Sequence, residues 1–106
     1  MKKIAIIGAG ISGLFIANLF KEIPNFQITI FDKNKKINLE DGYGIQLSVN
    51  SVRLLNKIEF NKVKNDKKFN PDKIDFYSKK SSNKICDLKI SDFNSEEYKY
   101  TTLKRS

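Results

Sequence analysis

Near the start of the chain, a continuous apolar run ends at a glycine, and the apolar residues that follow recur at helical spacing. Residues 4–7 (Ile-Ala-Ile-Ile) are continuously apolar and rich in β-branched side chains, which is typical of a parallel strand buried on both faces. Apolar residues then recur at helical spacing over 11–20, and the pattern stops before Pro24. These runs predict a strand, a glycine turn and a helix that ends near Glu22.

Further along, the pattern predicts a second strand at 27–31, with Asp32 directly after it. A polar connection leads to residues 42–50 (Gly-Tyr-Gly-Ile-Gln-Leu-Ser-Val-Asn) and then to a helix predicted at 52–58. Asn50 or Ser51 is the expected cap of that helix. Its buried side is expected to be Leu54, Leu55 and Ile58.

In the last third of the chain, polar and apolar residues alternate over 74–77 and again over 85–90. Residues 81–83 (Ser-Ser-Asn) between them are turn formers, so a β-hairpin is predicted. Cys86 lies within the second run, where half-buried packing is the default interpretation.

The glycines after the first strand carry the strongest chemical signal. In a strand–turn–helix unit, Gly8 permits the tight turn, Gly10 allows close approach of a pyrophosphate, and Gly13 allows close packing of the helix on the strand. The first N–H groups of a helix favour an anion. Asp32 ends the next strand, where a carboxylate accepts hydrogen bonds from ribose and repels a 2′-phosphate. Together these features predict a dinucleotide site that disfavours NADP.

Composition narrows the function classes. The net charge is +8, but the basic residues are nearly all Lys, with Arg53 and Arg105 as exceptions, and no basic helix stands out. Nucleic-acid binding is therefore not predicted, although Lys33, Lys35 and Lys36 are placed to attract an anionic cofactor. The chain has one Cys and no His, which suits a reducing compartment and excludes histidine-based catalysis within it. We expect a cytoplasmic protein without a membrane span, and the oligomeric state stays open.

Taken together, the two glycine segments resemble the flavin-dependent aromatic hydroxylases, the FAD monooxygenases that include salicylate, hydroxybenzoate and ubiquinone-pathway hydroxylases. The matching positions of the second segment are Gly42, Gly44, Ile45, Leu47 and Asn50. The final residues 100–106 resemble the family's segment leading into its next helix, in which an Arg helps to hold FAD.

The resemblance implies FAD as cofactor, NAD(P)H as reductant and a small organic substrate, with no catalytic side chain and no metal ligand in this chain. The implied cofactor-binding residues are Gly8, Gly10, Ile11, Ser12, Gly13, Asp32, Lys33, Gly44, Gln46 and Arg105. Two departures are visible: the acid is Asp32 where Glu is more usual, and the stretch 37–40 has no Arg where the family often carries one.

The expected fold class is α/β: a Rossmann-like FAD/NAD(P)-binding βαβ unit with its following helix at 1–58, then an incomplete mixed β region at 59–106. The hairpin in that second region is expected to form the first strands of a substrate-domain sheet. The expected function is the N-terminal FAD-binding part of a monooxygenase, inactive by itself. Alternatives are another FAD-dependent oxidoreductase (an isoprenoid-chain reductase or a halogenase), an NAD-binding oxidoreductase, and a truncated remnant without function.

Overall fold

The computed structural model describes residues 1–37 and 42–104, and it confirms the strand–helix–strand start. Strand β1 (Lys2–Ile7) is followed by helix α1 (Ile11–Lys21) and strand β2 (Phe26–Phe31). The two strands pair in parallel, from Lys2 opposite Phe26 to Ile7 opposite Phe31. A short hairpin turn can join antiparallel strands but not parallel ones, so helix α1 serves as the crossover between β1 and β2.

Helix α1 covers one face of this two-stranded sheet. The half-buried strand positions alternate along β1 and β2, and they include Ile4, Ile6, Ile28 and Ile30. At the far end the rings of Phe20 and Phe26 meet edge to face, with their centroids 5.2 Å apart. An amphipathic helix lying on one sheet face therefore provides the packing of this region.

The opposite face of the same sheet is open, which corrects the prediction of a strand buried on both faces. Ile7 is 82% exposed and Phe31 is 53% exposed. Side chains alternate across a strand, so a helix on one side leaves every second residue uncovered. Within the described residues, α1 is the helix that packs on β1 and β2.

A second sheet is built from distant parts of the chain. Strand β3 (Gly44–Leu47), strand β4 (Lys68–Phe69) and strand β7 (Thr101–Lys104) lie in the order β3-β7-β4. Both outer strands run antiparallel to β7. Most of the segment expected to lead into the family's next helix is β7, the central strand of this sheet.

Helix α2 (Val49–Leu55) begins earlier than predicted and continues as a 3-10 turn, Asn56–Ile58. Its N-cap is Ser48, so Asn50 and Ser51 lie inside the helix, and the predicted caps are wrong. The predicted buried side is also partly wrong, because Leu54 is 47% exposed and Val52 is the buried residue. The two positions are about 200° apart around a helix, so one faces the protein when the other faces solvent.

Strands β5 (Ile74–Tyr77) and β6 (Lys84–Leu88) form a separate antiparallel pair. The Lys84 ammonium lies 3.3 Å from Asp75 Oδ1 and 3.7 Å from Asp87 Oδ2. Asp75 Oδ1 is buried without a well-aligned hydrogen-bond donor, so the ion pair supplies its electrostatic partner. Cys86 is exposed rather than half-buried, since every residue of β6 is exposed.

The molecule is elongated and thinly packed. Its radius of gyration is 17.6 Å, whereas a compact chain of this length has about 13 Å. In the part of the chain that the structure describes, the buried residues are Val52, Ile90 and Thr101, each at most 5% exposed. That same part contains no helix long and apolar enough to cross a membrane.

Candidate functional site

The turn after β1 has the backbone shape that its glycines allow. Gly8 has φ +105°, a conformation that side chains strongly disfavour. Its N–H donates to the carbonyl of Phe31 across a 2.7 Å hydrogen bond, which fixes the end of β1 to the end of β2. A Cβ on Gly13 would lie 2.0 Å from the carbonyl oxygen of Gly8. Gly8 therefore sets the turn, and Gly13 lets α1 approach it.

Helix α1 starts at this turn with an open N-terminus. Gly10 is its N-cap, with φ −77° and ψ −174°, and it brings no side chain to bond the first N–H groups. A Cβ built on Gly10 meets no atom within 4 Å, so the space beside it is free of protein. Ile11 and Ser12 follow and are exposed. Accessible N–H groups and the positive end of the helix dipole suit a phosphate group.

The carboxylate of Asp32 lies against the same turn. Its Oδ2 accepts a 2.8 Å hydrogen bond from the N–H of Ala9, and its Oδ1 accepts one of 2.8 Å from the N–H of Asn34. These bonds, the Ala9 bond first, hold the pKa of Asp32 below its ordinary value, and nearby Lys33 lowers it further. Asp32 is exposed and ionised at neutral pH, as a ribose acceptor needs to be.

The structure brings only part of the predicted residue set together. Gly8, Gly10, Ile11, Ser12, Gly13, Asp32 and Lys33 lie at one end of the β1–β2 sheet. Gly44 and Gln46 lie on β3 in the second sheet, where Gln46 Oε1 accepts a 2.8 Å hydrogen bond from the Tyr100 hydroxyl. Arg105 lies outside the described residues.

Two partners of Asp32 were absent from the sequence prediction, namely the backbone N–H groups of Ala9 and Asn34. The local one had a signal. An Asp that bonds the N–H two residues later forms an Asx turn, and Asp32-Lys33-Asn34 after a strand is a suitable sequence for one. The bond to Ala9 spans 23 positions and has no such signature.

A separate cavity of about 320 Å³ lies in the second region, beside α2 and β7. Its lining includes the buried residues Val52 and Thr101, and the amide of Asn70 donates to the Thr101 hydroxyl at 3.0 Å. Two lysines and two glutamates balance its charge: Lys68, Lys99, Glu96 and Glu97. This lining differs from the glycine turn, where backbone groups dominate.

Within residues 1–37 and 42–104, no group of His, Cys, Asp or Glu side chains has an arrangement that could hold a metal ion. Asp75 and Asp87 on the β5–β6 pair both contact the Lys84 ammonium, at 3.3 and 3.7 Å, so a cation of the protein already lies beside these acids. The glycine turn is therefore the candidate site that the geometry defines best.

Residues 6–39 match the model of a family described as the NAD(P)-binding Rossmann-like domain. This stretch covers the end of β1, the glycine turn, α1, β2 and Asp32. The match supports a nucleotide cofactor in general and an N-terminus of the oxidoreductase type. The comparison with curated proteins gives no match.

Proposed function

We propose that residues 1–37 bind the ADP portion of FAD and that the chain is the N-terminal part of a flavin-dependent monooxygenase. The observation that carries the nucleotide part is the meeting of three features at one sheet end: the positive φ of Gly8, the open cap at Gly10 and the exposed carboxylate of Asp32. A pyrophosphate at the start of α1 and a ribose beside Asp32 fit this arrangement.

FAD is preferred over other dinucleotides because of residues 42–50, which resemble the second glycine segment of the aromatic hydroxylases. Gly44 and Gln46 lie on β3 in that segment, and we assign them to the same cofactor together with Arg105. When bound, FAD would supply the redox chemistry for hydroxylating a small aromatic or related organic substrate with NAD(P)H and O2. The residues of this chain contribute binding and orientation.

An NAD-binding oxidoreductase is the second candidate, and the family match at residues 6–39 favours it. NAD carries the same ADP portion, so the glycine turn by itself fits both cofactors. The two candidates differ in what residues 42–50 do: under the second candidate, β3 and its glycine have only a structural role.

The test is a set of titrations of the purified chain with FAD, NAD and NADP, followed by flavin fluorescence and by thermal melting. A ligand at a hundred times its Kd stabilises the folded state by about 2.7 kcal/mol. We expect saturable binding of FAD that is tighter than that of NAD, and NADP at least about tenfold weaker than NAD because its 2′-phosphate meets Asp32.

Tighter binding of NAD than of FAD would replace the leading proposal by the second candidate. No binding of any of the three would contradict both. The 106-residue chain is expected to yield no hydroxylated product when a phenol, FAD, NADH and O2 are added. Detectable product would contradict the proposal that these residues contribute only binding and orientation. With an isoprenoid substrate or with halide added, reduced or halogenated products would indicate the other flavoenzyme classes.

A further inference from the structure

We infer that Asp32 is a positioning residue that sets the shape of the glycine turn before any nucleotide binds. This role deepens the function proposed above and rests on it only where nucleotide binding is the readout. It differs from recognition of ribose, because the carboxylate acts here on the protein's own backbone through Ala9 and Asn34, each 2.8 Å away.

The bonds at the turn divide its N–H groups into two sets. The N–H of Gly8 donates to the Phe31 carbonyl and the N–H of Ala9 donates to Asp32 Oδ2, so both are committed to the end of β2. An anion has to be bound by the N–H groups that follow, at the start of α1. The carboxylate thus holds the turn in the form that presents those groups, with Gly8 at its unusual φ of +105°.

The same carboxylate carries a negative charge beside a predicted anion site. The two possible roles of Asp32 therefore predict opposite changes in anion affinity when the carboxylate is removed. If Asp32 only accepts hydrogen bonds from ribose, its removal leaves binding of a ribose-free anion unchanged or makes it stronger, because a repelling charge has gone. If Asp32 positions the turn, its removal weakens binding of that anion, because the turn loses both backbone bonds.

The binding experiment uses inorganic pyrophosphate and ADP with the wild-type chain, Asp32→Ala and Asp92→Ala at low ionic strength. Asp92 is an exposed acid on the 3-10 turn Ile90–Phe93, so its variant matches the change of charge in a different part of the fold. We expect Asp32→Ala to bind pyrophosphate at least about threefold more weakly, the loss of hydrogen bonds outweighing the relief of repulsion. Unchanged or tighter binding would overturn the inference.

A second measurement judges the inference in the free protein and does not need a functional nucleotide site. In the wild-type chain, the amide proton signals of Ala9 and Asn34 should both move with one carboxylate titration as the pH is lowered, because each N–H bonds an oxygen of Asp32. Lys33 is the charged side chain whose field acts on this carboxylate. If the Ala9 signal does not follow the titration, the positioning role is wrong.

Amide exchange completes the free-protein test. Ala9 should exchange about threefold or more faster in Asp32→Ala than in Asp92→Ala, as expected for loss of its hydrogen bond. A wild-type chain that binds neither pyrophosphate nor ADP would contradict the proposed function, while the amide signals would still support or overturn the positioning role. The two failures are therefore distinguishable.

Discussion

The two regions of this molecule are organised in opposite ways. In residues 2–31, two adjacent parallel strands and one helix meet at the glycine turn, where a Cβ on Gly13 would lie 2.0 Å from the Gly8 carbonyl oxygen. In residues 42–104, β3 pairs with β7 although Gly44 and Lys104 are 60 positions apart, and the β5–β6 pair has no helix over it among the described residues. The first region is specified by local geometry, and the second depends on a few buried side chains and distant pairings.

The largest expected effect is at the turn, for Gly13→Ala. The added Cβ would lie 2.0 Å from the Gly8 carbonyl oxygen, and backbone has to move on one side or the other. We expect a loss of about 2–3 kcal/mol of folding stability, although Ala alone would favour a helix by about 1 kcal/mol over Gly. Urea unfolding, followed by the amide signals of β1 and β2, measures it.

Gly10→Ala is the matched control, because its Cβ meets no atom within 4 Å and its φ of −77° suits any residue. Its stability should stay within about 1 kcal/mol of the wild type, while FAD and pyrophosphate bind more weakly since the Cβ occupies the space that we assign to the phosphates. A Gly13→Ala chain as stable as Gly10→Ala would contradict the close helix–turn contact.

The next effect concerns the second region, where Val52 is 5% exposed on α2. Val52→Ala removes buried methyl groups and should cost about 1–2 kcal/mol. Amide protection should fall in β3, β4 and β7 and stay nearly constant in β1 and β2. The matched control is Leu54→Ala on the same helix, where the side chain is 47% exposed and the cost should be clearly smaller. Equal losses in the two variants would show that α2 does not form a core there.

The contrast also explains what the sequence could predict. β1, α1 and β2 follow from a continuous apolar run, helical spacing and a glycine turn, each readable within a short window. The caps of α2 were misplaced because Ser48, Asn50 and Ser51 are all good capping residues, and the sequence does not rank them. Exposure of Ile7 and Phe31 was not predictable either, since burial of the second face depends on elements that pack from elsewhere.

At the candidate site, the spacing of glycines and acid identified the residues at the turn but not their bonds. Gln46, on β3 in the second sheet, shows where prediction from sequence spacing fails. Its position in the glycine segment implied a cofactor contact, whereas in the structure its amide oxygen accepts a hydrogen bond from Tyr100 between β3 and the residue before β7. A partner 54 positions away follows from the pairing of the sheet, which no local pattern encodes.

The smallest expected effect is a dependence of local stability on pH. The β5–β6 pair should lose stability at high pH, and the glycine turn should lose it at low pH. The close contact of its ammonium with the Asp75 carboxylate, 3.3 Å away, raises the pKa of Lys84. A raised pKa in the folded state means that this ion pair stabilises the β5–β6 pair fully below the unfolded-state pKa, about 10.4, and that the contribution is lost as the pH rises through the folded value.

For Asp32 the sign is reversed: its pKa is lowered, so its contribution is present above the unfolded value of about 3.9 and is lost as the pH falls through the folded one. Amide exchange measured across both pH ranges should therefore loosen β5–β6 only in alkali and the glycine turn only in acid. Lys84→Gln should abolish the alkaline change, and Lys80→Gln, in the turn between the two strands, should leave it intact. An alkaline change that survives in Lys84→Gln would mean that other lysines stabilise the strand pair, because Lys84 would then not be the group whose deprotonation loosens it.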